Sequence, residues 1–214
     1  MYHIVKRAAD ILFSCVSLLI LLPILLLLTL FIRLESPGPP LFAQARVGKG
    51  GKLFTVYKLR TMRRDAPAST ATGQLAHAQA YITRLGAFLR KTSLDELPQL
   101  FNVLRGDMSL VGPRPLVPEE TQVHEERMAK GVYALRPGIT GWAQINGRDQ
   151  VCEGMKAELD AYYAQHISFG LDLHILLKTV ACVFTARGIQ EGAPSQDLRP
   201  SRNGKEPDVQ TDDH

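Results

Sequence analysis

The sequence predicts an α+β protein. A membrane-embedded apolar segment, either a kinked span or a re-entrant helix-break-helix hairpin, leads into a small, mainly helical cytosolic domain with short strands and amphipathic interfacial helices. Three observations predict it. No charged residue occurs from Ile11 to Ile32. Short extended segments flank a Gly/Lys turn between Leu41 and Arg64. Helix-like segments bounded by Gly and Pro fill most of the chain between Ile82 and Arg187. The expected boundaries are 1–34 for the hairpin, 35–188 for the domain and 189–214 for a polar tail expected to be disordered.

The apolar run is about 22 residues long, enough to cross a hydrocarbon core of roughly 30 Å. It is too long for a signal-peptide core, and no small-residue cleavage site comes after it. Pro23 falls in its middle, where a missing N–H and a ring clash bend a helix. Ser14 and Ser17 on the preceding turns would help satisfy the freed carbonyls. Lys6 and Arg7 stand on one flank, and Arg33, Arg46, Lys49, Lys52 and Lys58 follow the other. With both flanks basic, the positive-inside rule orients no spanning helix. A kinked span and a re-entrant helix both remain open from the residues alone.

Glu35-Ser36-Pro37-Gly38-Pro39-Pro40 stops the helix. Val47 to Lys52 reads as a turn and Leu53 to Lys58 as the best strand. The turn lacks the spacing of a P-loop and the helix that should come after one. Asp65 to Ala80 has little periodicity and reads as a surface excursion. Ile82 to Arg90 is a short amphipathic helix. A second helix comes next, closing near Arg105-Gly106, and Asp107 to Pro115 is an irregular loop. Arg114, between Pro113 and Pro115, has a pre-set backbone suited to a fixed anion contact. Pro118 to Lys130 is expected to be a solvated polar helix. Arg136 to Arg148 reads as a turn, a short strand and an Asn-Gly turn ending in Arg148. Trp142 suits a core or membrane-interface role. Met155 to Arg187 is helical, and Ile167 to Phe184 reads as lying on the membrane surface.

The chemistry points to Lys91-Thr-Ser93-Leu-Asp95-Glu96-Leu-Pro98-Gln99-Leu100. Ser93 and Glu96 fit a capping box, with Asp95 the alternative cap because Pro98 is tolerated only near a helix start. Either arrangement puts two carboxylates at the positive end of a helix dipole. Alone, such residues read as ordinary first-turn acids. Their company differs: Arg90 precedes them, and Arg105, Arg114, Arg136 and Arg148 come later in Gly/Pro-rich loops. An anionic nucleophile or metal ligand among arginines is what phosphate chemistry needs.

Lys58-Leu-Arg60-Thr-Met62, Ser93-Leu-Asp95-Glu96-Leu-Pro98-Gln99, Gly106-Asp-Met-Ser-Leu-Val-Gly-Pro-Arg114-Pro and Arg136-Pro-Gly-Ile-Thr-Gly…Asn-Gly-Arg148 together resemble the bacterial monotopic phosphoglycosyl transferases. The likeness runs from about Lys6 to Arg148, and the chain looks like the minimal catalytic form. The resemblance implies transfer of a sugar phosphate from a UDP-sugar to polyprenyl phosphate at the cytosolic face of the bacterial inner membrane, with UMP released. It implies that Asp95 is the nucleophile and Glu96 a ligand for Mg²⁺. It also implies a membrane helix that breaks at Pro23 and returns to its own side. Relatives commonly place Ser before that proline; Leu22 stands here. Arg90, Arg114 and Arg148 are the candidates to offset charge on the transferring group. Arg136, Lys58 and Arg60 are further phosphate- or lipid-binding candidates.

The net charge of +4 suits an anionic membrane surface or a phosphate-bearing substrate. Cys15, Cys152 and Cys182 are odd in number and scattered, which argues against a disulfide framework or zinc site and for a reducing compartment. The basic residues are not interleaved with aromatics, which argues against nucleic acid. The competing reading is a non-enzymatic, membrane-anchored basic module that binds anionic lipid or a partner protein. That reading leaves the rigid arginine loops without a task. Neither the sugar nor the oligomeric state is readable.

Overall fold

A computed structural model describes residues 2–66, 78–146 and 153–185. Most of the expected surface excursion, Arg148 and the tail lie outside the described residues.

Helix α1 (Tyr2–Glu35) is 34 residues long, about 50 Å at 1.5 Å per residue. By length and composition it could cross a membrane. Helical backbone continues through Pro23, so the expected hairpin is not divided into two helices. The expected role of Ser14 and Ser17 is not met either. Among the described residues Ser14 Oγ is buried without a hydrogen-bond partner, and in α1 it is the Thr29 hydroxyl that donates to a helix carbonyl, Leu26 O at 2.8 Å.

The stripe Asp10, Ser14, Leu18, Leu25, Leu28, Ile32 is buried, and its spacing of three, four or seven keeps it on one face. Leu18, Leu25, Leu28 and Ile32 pack with Leu59, Leu89 and Leu100 in the largest core cluster. The other faces of α1 expose Phe13, Leu19, Ile20, Leu26, Leu27 and Leu30. An apolar surface of that extent on a soluble protein would aggregate; a bilayer is its natural solvent.

Both ends of α1 are tied to the rest of the chain. Arg7 Nη1 and Nη2 donate to Val103 O and Leu104 O at 2.7 and 3.2 Å, and Asp10 accepts from Ser109 Oγ at 2.7 Å. Lys6 and Tyr2 both donate to Asp172 Oδ2 at 2.6 Å. At the other end Arg60 donates to Ile32 O, Ser36 O and Pro37 O, and so takes up carbonyls that a helix end leaves unpaired.

Strands β1 (Leu41–Val47) and β2 (Leu53–Leu59) pair antiparallel from Leu41↔Leu59 to Val47↔Leu53, as their alternation and turn predict. Helix α2 (Arg84–Thr92) is capped by Thr83, whose hydroxyl accepts from Gly86 N. Helix α3 (Gln99–Arg105) lies under β2. Asn102, fully buried, donates to Thr55 O at 2.7 Å and accepts from Tyr57 N at 3.2 Å, which satisfies the free edge of β2.

Three expectations fail after α3. The loop at 107–115 contains β3 (Ser109–Val111), paired in parallel with β4 (Gly138–Thr140). Strands this short between glycines carry too few residues for a period to be seen. Helix α4 (Thr121–Ala129) is not a solvated face, since Val123 and Arg127 are buried on one side. The short strand expected between Arg136 and Arg148 is present as β4, but the residues after it form an unexpected helical turn, α5 (Trp142–Ile145). Helices α6 (Glu153–His166) and α7 (Phe169–Thr185) complete the described chain. Trp142 stacks on Tyr162 of α6 at 5.4 Å. Helix α7 exposes Phe169, Leu173, Leu177 and Val180 and buries Asp172 and Ile175.

Replacing Asn102 by Leu removes both bonds to the β2 edge and leaves Thr55 O and Tyr57 N unpaired. The expected loss is roughly 2–4 kcal/mol, a fall in thermal midpoint of about 5–15 °C. An unchanged midpoint would show that this side chain does not fasten β2 to α3.

Candidate active site

The carboxylate pair does not open a helix through a capping box. Ser93 adopts φ 56°, ψ 19° and terminates α2; its hydroxyl caps nothing. Asp95 and Glu96 instead occupy a 3₁₀ turn, Leu94–Glu96, and α3 begins after Pro98. The proline explains the difference. Without an N–H it cannot bond Leu94 O, so the chain closes i→i+3 bonds, Leu97 N to Leu94 O and Leu100 N to Leu97 O.

Two separate elements converge on Glu96. Lys58 Nζ, near the end of β2, donates to Oε1 at 2.8 Å, and Arg114 Nη2, in the loop after β3, reaches the same oxygen at 3.3 Å. The Glu96 side chain is 16 % exposed. Burial alone would push its pKa up, but the Lys58 and Arg114 charges and their hydrogen bonds hold it down at about 2. Asp95, beside it, is buried. Arg90, one turn back on α2, is oriented by its Nε bond to Thr61 Oγ1 at 2.8 Å.

The Arg114 loop is braced on several sides. A Cβ on Gly112 would lie 2.5 Å from Arg136 O, and one on Gly141 would lie 2.1 Å from Gly112 O. Only glycines allow this crossing, which presses the loop onto β4. From β1, Val47 N donates to Leu116 O and Arg46 Nη1 to Pro115 O. Arg46 is pulled down to about 10, first by burial and then by the Arg114 charge. Arg127 Nη1 donates to Arg114 O at 2.9 Å, and its Nη2 forms a buried ion pair with Asp160 of α6.

The sequence candidates therefore divide. Lys58, Asp95, Glu96 and Arg114 come together, with Arg90 on the preceding helix. Arg60 is placed on the C-terminal carbonyls of α1. Arg136 lies at the far end of α3, where its Nε donates to Gly106 O at 2.8 Å. Arg148 is outside the described residues. Sequence reading missed Arg46, Arg127 and Asp160. A signal for the last two exists: Val123 and Arg127 are four apart on one face, as are Ala157 and Ala161, with Asp160 beside them.

A hard cation also fits here in a limited way. Both cationic contacts use Oε1, and Oε2 of Glu96 has no hydrogen-bond partner among the described residues. No group of three His, Cys, Asp or Glu side chains gathers among them. That donor set matches Mg²⁺ held by a carboxylate, water and substrate phosphates, not an all-protein cage.

The family model of bacterial sugar transferases matches residues 1–186. The chain belongs to the bacterial sugar transferase family. It is 45% identical over 184 residues to the sugar transferase EpsL of Bacillus subtilis, covering 86% of this chain and 87% of that protein. It is 44% identical over 187 residues to the undecaprenyl-phosphate glucose phosphotransferase of Komagataeibacter xylinus, covering 82% of this chain but 35% of that longer protein. It is 43% identical over 189 residues to the UDP-glucose:undecaprenyl-phosphate glucose-1-phosphate transferase of Caulobacter vibrioides, with 84% and 70% covered.

Because the Glu96 pKa is depressed in the fold, its ionised form stabilises the protein above its ordinary value of 4.5. That contribution is lost as the pH falls from 4.5 towards 2. Lys58→Met should therefore lower the thermal midpoint most at pH 7 and progressively less towards pH 3. An equal drop at both pH values would mean that Lys58 does not set the Glu96 pKa.

Arg127→Met and Asp160→Asn each leave a buried group uncompensated. Each should cost about 3–5 kcal/mol, with strong non-additivity in the double variant. Additive losses in thermal unfolding would show that the two act separately.

Proposed function

We propose that this family member is a phosphoglycosyl transferase that moves a sugar-1-phosphate from a UDP-sugar to polyprenyl (undecaprenyl) phosphate. UMP is released, and the product begins bacterial glycoconjugate or polysaccharide assembly. The observation that carries this reading is the buried Asp95 next to Glu96, whose carboxylate Lys58 and Arg114 hold from different elements. The names of the Komagataeibacter and Caulobacter relatives point to the same acceptor, and the Caulobacter name to a UDP-sugar donor.

The reaction divides into two displacements. An Asp95 carboxylate oxygen attacks the β-phosphorus, the one bearing the sugar. The bond from that phosphorus to the bridging oxygen breaks, and its electron pair leaves with UMP. A phosphate oxygen of the polyprenyl phosphate then attacks the same phosphorus. The bond to Asp95 breaks, the carboxylate is restored, and a polyprenyl diphospho-sugar departs. Lys58 and Arg114 stand where charge on the transferring group and leaving phosphate collects, with Arg90 as a further candidate. Burial of Asp95 keeps water from the acyl phosphate between the two steps. Mg²⁺ on Glu96, when bound, would neutralise charge on the diphosphate.

Helix α1 enters and leaves the bilayer on the cytosolic face, bending at Pro23, while residues 35–188 form the catalytic unit. Support comes from the bonds that tie both ends of α1 to one body, and from the basic residues on both flanks. His3→Cys and Lys52→Cys should both resist a membrane-impermeant label added outside intact spheroplasts. Labelling of only one of them would overturn the re-entrant topology.

The nucleophile is testable without acceptor lipid. UMP should appear from the UDP-sugar in an amount near one per enzyme, and the protein should gain the mass of one phospho-sugar, labile to hydroxylamine. Asp95→Asn should abolish both signals with the fold intact, and Glu96→Gln should slow the step without moving the adduct. An adduct on Glu96, or a rate law requiring both substrates before any UMP forms, would refute the assignment. Full activity in excess EDTA would remove Mg²⁺.

A further inference from the structure

Helix α3 separates the carboxylate pair from a second charged feature. At its C-terminal end, about 10 Å along the axis from its start, lies a cavity of about 300 Å³. Lys6 and Arg7 of α1, Lys49 of the β1–β2 turn and Arg136 line it, against one carboxylate, Asp10. None of Lys58, Arg90, Asp95, Glu96 or Arg114 does. We propose that this cavity is a second phosphate-binding site, distinct from the carboxylate pair, which takes the headgroup phosphate of an anionic membrane lipid.

The donors are arranged for an anion. Asp10 is already engaged by Ser109 Oγ and Leu110 N, and Lys6 by Asp172. Arg7 and Arg136 are both fixed by carbonyl oxygens at the end of α3, which aim the guanidinium groups without neutralising them. Arg136 uses Nε alone for that bond. Its Nη1 and Nη2, and Lys49 Nζ, have no hydrogen-bond partner among the described residues. Burial and then the Arg136 charge depress the Arg7 pKa, so the two guanidinium groups stand close enough to repel. A phosphate group between them removes that repulsion and offers several acceptors to fork-shaped donors.

Depth identifies the source of the phosphate. Lys6 and Arg7 directly precede the apolar stretch of α1, with Asp10 the last charge before it. The cavity thus lies at the water side of the hydrocarbon boundary, the level of lipid headgroups. Anionic lipid attracts each basic side chain there by about 1 kcal/mol, roughly fivefold in affinity.

The full chain in nanodiscs of phosphatidylcholine, with or without phosphatidylglycerol, tests this. Wild type should retain phosphatidylglycerol in native mass spectrometry and show a higher thermal midpoint when it is present. Arg136→Gln and Lys49→Gln should each lower retention about fivefold and shrink the rise in midpoint. Lys49→Gln guards against a folding defect, since Lys49 is exposed and its side chain bonds nothing among the described residues. In a lipid-free detergent arm, inorganic phosphate is added instead. A midpoint rise there, lost in both variants and without preference for phosphatidylglycerol, would keep the phosphate site and overturn the lipid as its source. Equal retention by wild type and both variants, with no response to inorganic phosphate, would overturn the site. UMP release at Asp95 reads the other site independently, so its failure with retention intact counts against the proposed reaction alone.

Discussion

Oxygen Oε1 of Glu96 joins parts of the chain that otherwise have little reason to meet. Lys58 brings the β1–β2 hairpin to it, and Arg114 brings the loop that β3 and β4 support. Each cation is partly withdrawn from water, and each would be costly there without its counter-charge. The carboxylate is in the same position, since burial opposes its ionisation and only the two cations reverse that. The three charges therefore require one another. Once they are fixed, the adjacent Asp95 is fixed too, because the 3₁₀ turn leaves it little freedom. A site held this way would resist collapse when the diphosphate of the proposed donor arrives, as the cations are already oriented and need no reorganisation.

Helix α3 gives the molecule a polarity. Its first turn comes directly after the carboxylate pair, and its last carbonyls, at Val103, Leu104 and Gly106, face Arg7 and Arg136. Guanidinium groups at a helix C-terminus are the favourable match to its dipole. These bonds have a second effect. They carry the start of α1 and the segment before β4 to one point, so a cavity with cationic walls forms where the membrane helix meets the body. Arg60 does the equivalent at the far end of α1. Arginines that look alike in the sequence thus serve different ends: Arg114 holds a carboxylate, while Arg7, Arg60 and Arg136 hold main-chain oxygens.

Legibility in the sequence tracked period and length. The β1–β2 hairpin was readable because seven-residue strands alternate around a Gly-rich turn, and α1 because its apolar run is unbroken by charge. The Asp95–Glu96 pair was readable from its neighbours. Its local geometry was not: a capping box needs Ser93 in extended backbone, and Ser93 is left-handed because it already ends α2. β3, three residues long, was invisible, and β4 was readable only as a short strand without its partner, since their pairing depends on glycines that fit only once the segments cross. The buried Arg127–Asp160 pair escaped because polar residues on α4 were read as solvated. The i,i+4 partnership of Arg127 with Val123 would have placed it inward.

Anchoring at both ends constrains α1 more than hydropathy does. A straight helix across a bilayer would set its termini on opposite sides, about 50 Å apart. Here Arg7 and Asp10 at one end bond to α3 and β3, and Ile32 with Ser36 at the other accept from Arg60 just after β2, all of a single body. Between them Leu18, Leu25 and Leu28 pack on that same body. Passing part of it through the hydrocarbon would bury Lys58, Arg114 and the carboxylates in lipid, at a cost no packing gain repays. A body that stays on one side leaves the exposed leucines on the remaining faces of α1 as the surface suited to hydrocarbon. Basic residues flank that surface at both ends. On the proposed reaction, such a seat would bring both a lipid phosphate and a soluble nucleotide sugar within reach of Asp95, a condition that any two-substrate transfer across this boundary must meet.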